Sequence, residues 1–257
     1  MSTKHVFDDA TGLVEKACLG VASTNPDLRF FAHHKVLYTA AHPRVKVAIL
    51  AGGGAGHEPA FSGLVGSGLV TVAVSGDVFA SPSSKQICSG VDLAPTDKGI
   101  VTIVLNYTGD CLNFGLASEK ARSAFHSEGK GRDIEMVNVG DDVSVGRSKG
   151  GLVGRRGLTG AAFTAKVLGA ASEKGDDVQK IAHLGRTMVK NFVTVGSSLD
   201  HCHVPGRSTD PKERGALSQS AVEIGMGIHN EPGPKNIEIN PSGEAIIKEI
   251  LSHTWRR

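Results

Sequence analysis

Two histidines in this chain stand where glycine has cleared the backbone around them. His57 closes the run Gly52-Gly53-Gly54-Ala55-Gly56-His57-Glu58-Pro59, and His229 sits within Gly225-Met226-Gly227-Ile228-His229-Asn230-Glu231-Pro232-Gly233. Each follows an apolar, strand-like segment. Glycine has no Cβ, so backbone at such places can come very close to a small ligand. An imidazole presented on a fixed turn can serve as nucleophile or general base; the plain alternative is a hydrogen-bonded structural histidine. Asp110 ends Asn106-Tyr107-Thr108-Gly109-Asp110 and is the third candidate. Its carboxylate can take a proton from a substrate hydroxyl, or it can simply cap the helix that follows.

Other constellations carry less. His201-Cys202-His203 has metal-ligating chemistry, but zinc needs a third and fourth ligand and none lies nearby in sequence, so no metal is expected. The triple glycine lacks the spacing of a dinucleotide fingerprint, and no Gly-Lys-Ser/Thr follows it, so it is not a Walker loop. Arg155-Arg156 can meet a phosphate, lie in a solvated loop or touch another subunit.

These side chains need a frame. Residues 45–51, 69–74, 100–105 and 134–139 read as strands, rich enough in Val and Ile to be buried on both faces of a parallel sheet. Helical stretches are expected around residues 59–65, 84–91, 113–127, 159–173 and 177–190, with a short terminal helix near 242–253. Strand–helix alternation predicts an α/β fold, mixed or parallel sheets flanked by helices. Ligands in such sheets bind beyond the carboxyl ends of the strands. The turns 52–59, 76–82 and 106–110 all fall there. Residues 191–198 and the segment before His229 are strand-like, 208–218 reads as a polar exposed loop, and 146–158 as a basic, glycine-rich loop.

The chain has 257 residues, is 40% hydrophobic and carries a net charge of +2. It can bury a sizeable core, and its charge argues for neither nucleic acid nor an anionic membrane. No apolar run approaches the ~20 residues of a membrane span, and the N-terminus lacks a signal peptide's apolar region. A cytoplasmic location is expected. The four cysteines, Cys18, Cys88, Cys111 and Cys202, form no CxxC pair and are expected to be thiols.

Several motifs, in order along most of the chain, resemble the substrate-binding K domain of the dihydroxyacetone kinase family. They are Lys4-His5-Val6-Phe7, residues 52–59, Gly76-Asp77-Val78-Phe79-Ala80-Ser81-Pro82, residues 106–110, Arg155-Arg156-Gly157-Leu158, residues 199–206 and the His229 segment. The resemblance implies a K-domain-like fold and a mechanism. His229 attacks a ketone or aldehyde and holds it as a hemiaminal, His57 binds substrate hydroxyls, and Asp110 acts as base on the hydroxyl to be phosphorylated. Substrate contacts then fall on Gly53, Gly54, Ala55, Leu105 and Gly109. It also implies a homodimer, and ATP and Mg supplied only through a separate ATP-binding subunit or domain, with no cofactor held by this chain.

Three departures from the family pattern shape the expectation. Leu105 stands where the family has a substrate-contacting lysine, Ala55 stands where serine is usual, and the chain ends at Arg257, before further family elements. An N-terminal part over 1–185 and a shortened second part over 186–257 are expected. The departures favour an enzyme that captures a small carbonyl compound but has moved to aldol, isomerising, cyclising or dehydrating chemistry. The alternatives are a kinase substrate subunit with an ATP-binding partner, and a non-catalytic carbonyl sensor.

Overall fold

The structure is a computed structural model that describes residues 5–129, 131–144, 154–208, 210, 212, 215–237 and 242–255. Lys4 and residues 146–153 of the basic loop lie outside the described residues, as do 209, 211, 213 and 214 of the polar loop.

A six-stranded sheet carries the larger part of the molecule. Its strands are β1 (Leu28–Phe31), β2 (Val36–Thr39), β3 (Ala48–Ala55), β4 (Val72–Val78), β5 (Ile100–Leu105) and β6 (Ile134–Val139), in the order β1-β2-β4-β3-β5-β6. The last four run parallel, and β1 and β2 add antiparallel at one edge. The fold is therefore mixed α/β, as the strand–helix alternation predicts.

Period-two alternation sorts the side chains onto two faces. Ile49, Ala51, Val101, Ile103 and Val137 point to one face, where they meet helices α4 (Gly160–Glu173) and α5 (Val178–Met188) through Ala165, Leu168 and Ile181. Ala48, Leu50, Val72, Val74 and Val104 point to the other, covered by α2 (Ser84–Leu93) and α3 (Thr108–Glu128) through Ile87, Phe114 and Phe125. Both faces are covered, which is why β5 is apolar nearly throughout. Helix α1 (Leu13–Ser23) packs Val14 and Cys18 near the end of β3.

A second, antiparallel sheet holds β7 (Ser197–Ser198), β8 (Val222–Ile224) and β9 (Lys235–Ile237) in that order, followed by α6 (Gly243–Trp255). The expected seam between residues 185 and 186 falls inside the last turn of α5.

Several boundaries differ from expectation. The glycines at 52–54 lie within β3 rather than in a turn, because a Cβ at Gly52 would strike the carbonyl of Val74 on neighbouring β4. Residues 59–65 hold only a short 3-10 turn, Ser62–Leu64. Helix α3 starts at Thr108 with Tyr107 as its N-cap. Of the strand-like segment 191–198, only Ser197–Ser198 is strand, with one isolated bridge from Thr194 to Asp142. All four cysteines are free. No described helix is long and apolar enough to cross a membrane.

Candidate functional site

His229 lies on the turn after β8, and its ring is held by its own neighbour. The Glu231 carboxylate accepts the backbone N–H of His229 at 2.8 Å and faces Nδ1 of the ring at 2.8 Å. A carboxylate only accepts, so Nδ1 carries the proton and Nε2 is left with its lone pair. Burial pushes Glu231 up, but its hydrogen bonds to the ring and backbone of His229 outweigh that and hold it at about 2. Asn230 enables the turn with a left-handed φ of 64°. Its amide clamps the 199–206 segment, taking the Cys202 N–H at 2.8 Å and donating to the Cys202 carbonyl at 3.0 Å.

The bare Nε2 of His229 points at Nε2 of His57, 3.2 Å away. Only one of the two nitrogens can donate, so His57 does. Burial, with the neighbouring His229 second, lowers His57 to about 4, and it is a neutral donor at pH 7. Phe79 stacks on the His57 ring, with centroids 5.2 Å apart, and meets His229 edge-on at 5.5 Å. Its φ of 58° is strained for a bulky residue. Tyr107 meets His229 edge-on from another side at 4.8 Å, and burial pushes its phenol up, so it stays neutral. The His229 side chain nevertheless remains 24% exposed. It opens to a cavity of about 370 Å³ that also touches Phe79, Cys202 and Asn230.

Asp110 is the third residue of α3 and is buried. Tyr107 is the N-cap, so Asp110 stands within the first turn of the helix and not at its cap. Oδ1 of Asp110 accepts no hydrogen bond from any described residue. An unpaired buried carboxylate oxygen is costly, and that cost falls when a ligand hydroxyl supplies the proton. Burial raises Asp110 above the usual carboxylate range, against the opposing pull of its Ser81 hydrogen bond.

The glycines give this group its space. A Cβ on Gly53 would stand 3.5 Å from the Phe61 ring and 3.9 Å from the Asp110 carboxylate, so bare backbone faces the acid. A Cβ on Gly109 would press on the Ser81 hydroxyl at 2.7 Å, and one on Gly54 on the Ala80 nitrogen at 2.9 Å. Ala55 and Leu105 sit differently. Ala55 packs with Val14 and Cys18 beneath α1, beyond a register shift between Gly53 and Ala55. Leu105, 6% exposed, ends β5 in the apolar cluster with Val137, Val139 and Ala161.

The other sequence candidates separate. His201 turns to Glu223 at 3.2 Å, while His203 faces His5 at 2.6 Å and the Ser208 carbonyl at 3.0 Å, so the H-x-H pair serves two different contacts. Arg156 is committed to protein acceptors, and not to a solvated loop: Asp142 at 2.8 Å and the Gly225 carbonyl at 2.6 Å. Sequence reasoning singled out His229 but overlooked Glu231. The i, i+2 spacing of an acid after a histidine within a tight turn is the signal that could have found it.

Fold and site together define an α/β protein that presents a half-open imidazole, oriented by a carboxylate, near a buried acid with one unpaired oxygen. Residues 19–256 match the Dak1 domain, and the chain belongs to that family. It is 41% identical to a dihydroxyacetone kinase of Pichia angusta, over 98% of this chain and 42% of that protein. It is 38% identical to a triokinase/FMN cyclase of Homo sapiens, again over 98% of this chain and 42% of the relative. The chain thus spans well under half the length of these relatives. Among solved structures, the dihydroxyacetone kinase from C. freundii in complex with AMP-PNP and Mg2+ matches with a TM-score of 0.86 and 32% identity, over 98% of this chain and 45% of that one. A dihydroxyacetone kinase operon co-activator matches with a TM-score of 0.82 and 30% identity, over 93% and 70%.

Proposed function

We propose that this chain captures a short hydroxy-ketone or hydroxy-aldehyde on Nε2 of His229 and readies one of its hydroxyls for phosphoryl transfer. One observation carries the reading: Glu231 holds the Nδ1 proton, so the lone pair of Nε2 faces the site. The lone pair attacks the carbonyl carbon, the C=O π bond breaks, and the oxygen takes a proton from solvent. The result is a hemiaminal on an imidazolium whose Nδ1–H stays on the ionised Glu231. Forming the bond requires the carbonyl to displace the His57 contact. His57, a neutral donor, then turns its N–H to the new hydroxyl oxygen. Covalent capture fixes the adduct's orientation. A hydroxyl of the adduct donates to the unpaired Oδ1 of Asp110, which serves as base.

The relatives motivate phosphoryl transfer as the fate of the adduct. Among the described residues no cluster of three or more His, Cys, Asp or Glu stands ready to hold a metal ion, and no step here runs through one. The donor nucleotide and its metal belong in this reading to an ATP-binding domain or subunit. A second reading keeps the capture but gives the adduct a non-phosphoryl fate. Leu105 favours it, since a buried leucine offers no donor to a polar triose.

With dihydroxyacetone labelled with carbon-13 at the carbonyl, that carbon's resonance should move to the tetrahedral region on binding. The shift should vanish in His229→Ala; its persistence there would overturn the capture. Adding ATP, Mg2+ and the ATP-binding domain of a relative should yield the phosphate ester, and Asp110→Asn should keep the adduct but lose the ester. No ester from the unsubstituted chain, with the adduct intact, would leave the second reading standing.

A further inference from the structure

Arg156 belongs to the Arg155-Arg156 pair, and neither the capture nor the proton transfer uses it. It reaches from the segment before α4 to the turn that carries His229. Its Nε donates to Oδ2 of Asp142 at 2.8 Å, and its Nη2 contacts the same oxygen at 2.7 Å. Nη2 also donates to the Gly225 carbonyl at 2.6 Å and to Oγ of Ser144 at 3.2 Å. Nη1 extends to the Glu231 carbonyl at 3.5 Å. One planar group therefore touches the turn before and after His229. That Glu231 carbonyl also accepts the Gly227 N–H at 2.8 Å, which closes the turn.

Asp142 is 1% exposed and cannot easily give way. Its Oδ1 accepts the Ser144 hydroxyl at 2.6 Å and the Ser144 N–H at 2.9 Å. Gly227 provides the slot: a Cβ there would stand 2.8 Å from Nη1 of Arg156 and would collide with the Glu231 carboxylate. Guanidinium and carboxylate thus pass on one side of a bare glycine, and the carboxylate continues to the His229 ring.

Resting on the reading that His229 captures a carbonyl compound, we propose that Arg156, seated by Asp142, is a positioning residue. It holds the 225–231 turn so that the Glu231 carboxylate stays on Nδ1 of His229 and Nε2 stays bare. A fork with several fixed donors does this where a lysine, a single rotating ammonium, does not. A displacement of about 1 Å at a reacting atom costs on the order of 100-fold.

The test uses Arg156→Lys and Asp142→Asn in the full chain, with two readouts. The first is the nitrogen-15 spectrum of the His229 ring without any ligand. The parent chain should show a single Nδ1–H tautomer, and both variants should show a mixture of tautomers. The second is affinity for labelled dihydroxyacetone, with an expected loss of about 10–100-fold in Arg156→Lys and a smaller loss in Asp142→Asn. Guanidinium ion added to Arg156→Ala should restore part of the adduct. Parent-like tautomer and affinity in Arg156→Lys would overturn the inference; if that variant does not fold, parent-like behaviour of Asp142→Asn does so instead. Because the tautomer is read without substrate, failure of the parent chain to form an adduct would strike the capture alone and leave this inference to the spectrum.

Discussion

The six-stranded sheet and the small sheet that carries His229 hold together by different means. In the larger sheet, strands of four to eight residues run through an apolar core, the central ones buried on both faces by helices. In the smaller one, strands of two or three residues are joined by polar clamps: Asn230 on Cys202, Glu223 on His201, Glu231 on His229 and Arg156 on Gly225. Apolar packing is tolerant of direction, whereas hydrogen bonds fix angles. The first sheet presents Gly53 at the end of β3, beside Asp110 of α3; the second carries the turn that holds the His229 ring.

This contrast can be broken by substitutions that should separate stability from capture. Ile103→Ala, fully buried in the large sheet, should destabilise the fold by about 2–5 kcal/mol in urea unfolding, while the remaining folded protein binds carbonyl with parent affinity. Glu231→Gln should do the reverse. It should lower the unfolding midpoint at pH 7 modestly, through loss of the ionised Glu231 contribution, without unfolding the chain, and lower adduct affinity about 10–100-fold, because an amide can present its NH2 to Nδ1 and reverse the tautomer. If the first variant lost affinity, or the second unfolded, the two regions would not be separable.

Smaller effects sharpen the comparison. Gly53→Ala meets only ordinary contacts, 3.5 Å to Phe61 and 3.9 Å to Asp110. It should fold normally and weaken substrate binding by roughly tenfold, about 1.4 kcal/mol, measured by titration. The acid response gives a further test. His57 is lowered from 6.5 to about 4, so between those values the unfolded chain binds a proton that the folded chain does not. Stability contributed there is complete above pH 6.5 and declines as pH falls toward 4. Glu231 is lowered from 4.5 to about 2, and its contribution declines as pH falls through that lower window. Denaturant titrations from pH 7 to 3 should show His57→Asn flattening the upper window and Glu231→Gln the lower. A parent-like slope in His57→Asn would contradict the assignment.

The same contrast explains what could be read from the sequence. β5 is legible to the residue because a strand buried on both faces writes a nearly continuous apolar run from Ile100 to Leu105, and β6 is legible from the Ile, Met and Val interspersed with Glu135 and Asn138. Helix α1 was not anticipated; it has no side-chain cap and starts from Gly12 in a left-handed conformation. β1 and β2 mix Arg29, Tyr38 and exposed Phe31 in four-residue strands too short to display a period. Within the site, His57, His229, Asp110 and the glycines are legible because chemistry and missing side chains leave marks on a sequence. The commitment of Arg156 to Asp142 is not, since the pairing is made by the fold across a turn and reads as surface charge in one dimension.

Asp141 and Asp142 leave the end of β6 side by side and face different tasks. Asp141 receives the amides of Leu158 and Gly160 and the hydroxyl of Thr194, which seats the start of α4. Asp142 grips Arg156. A nudge to this pair of neighbours would therefore be felt at once by a long helix and by the turn that carries His229, as a pivot moves both arms of a balance. Motion imposed on the start of α4 has a short mechanical route, through two adjacent aspartates, to the orientation of the His229 turn.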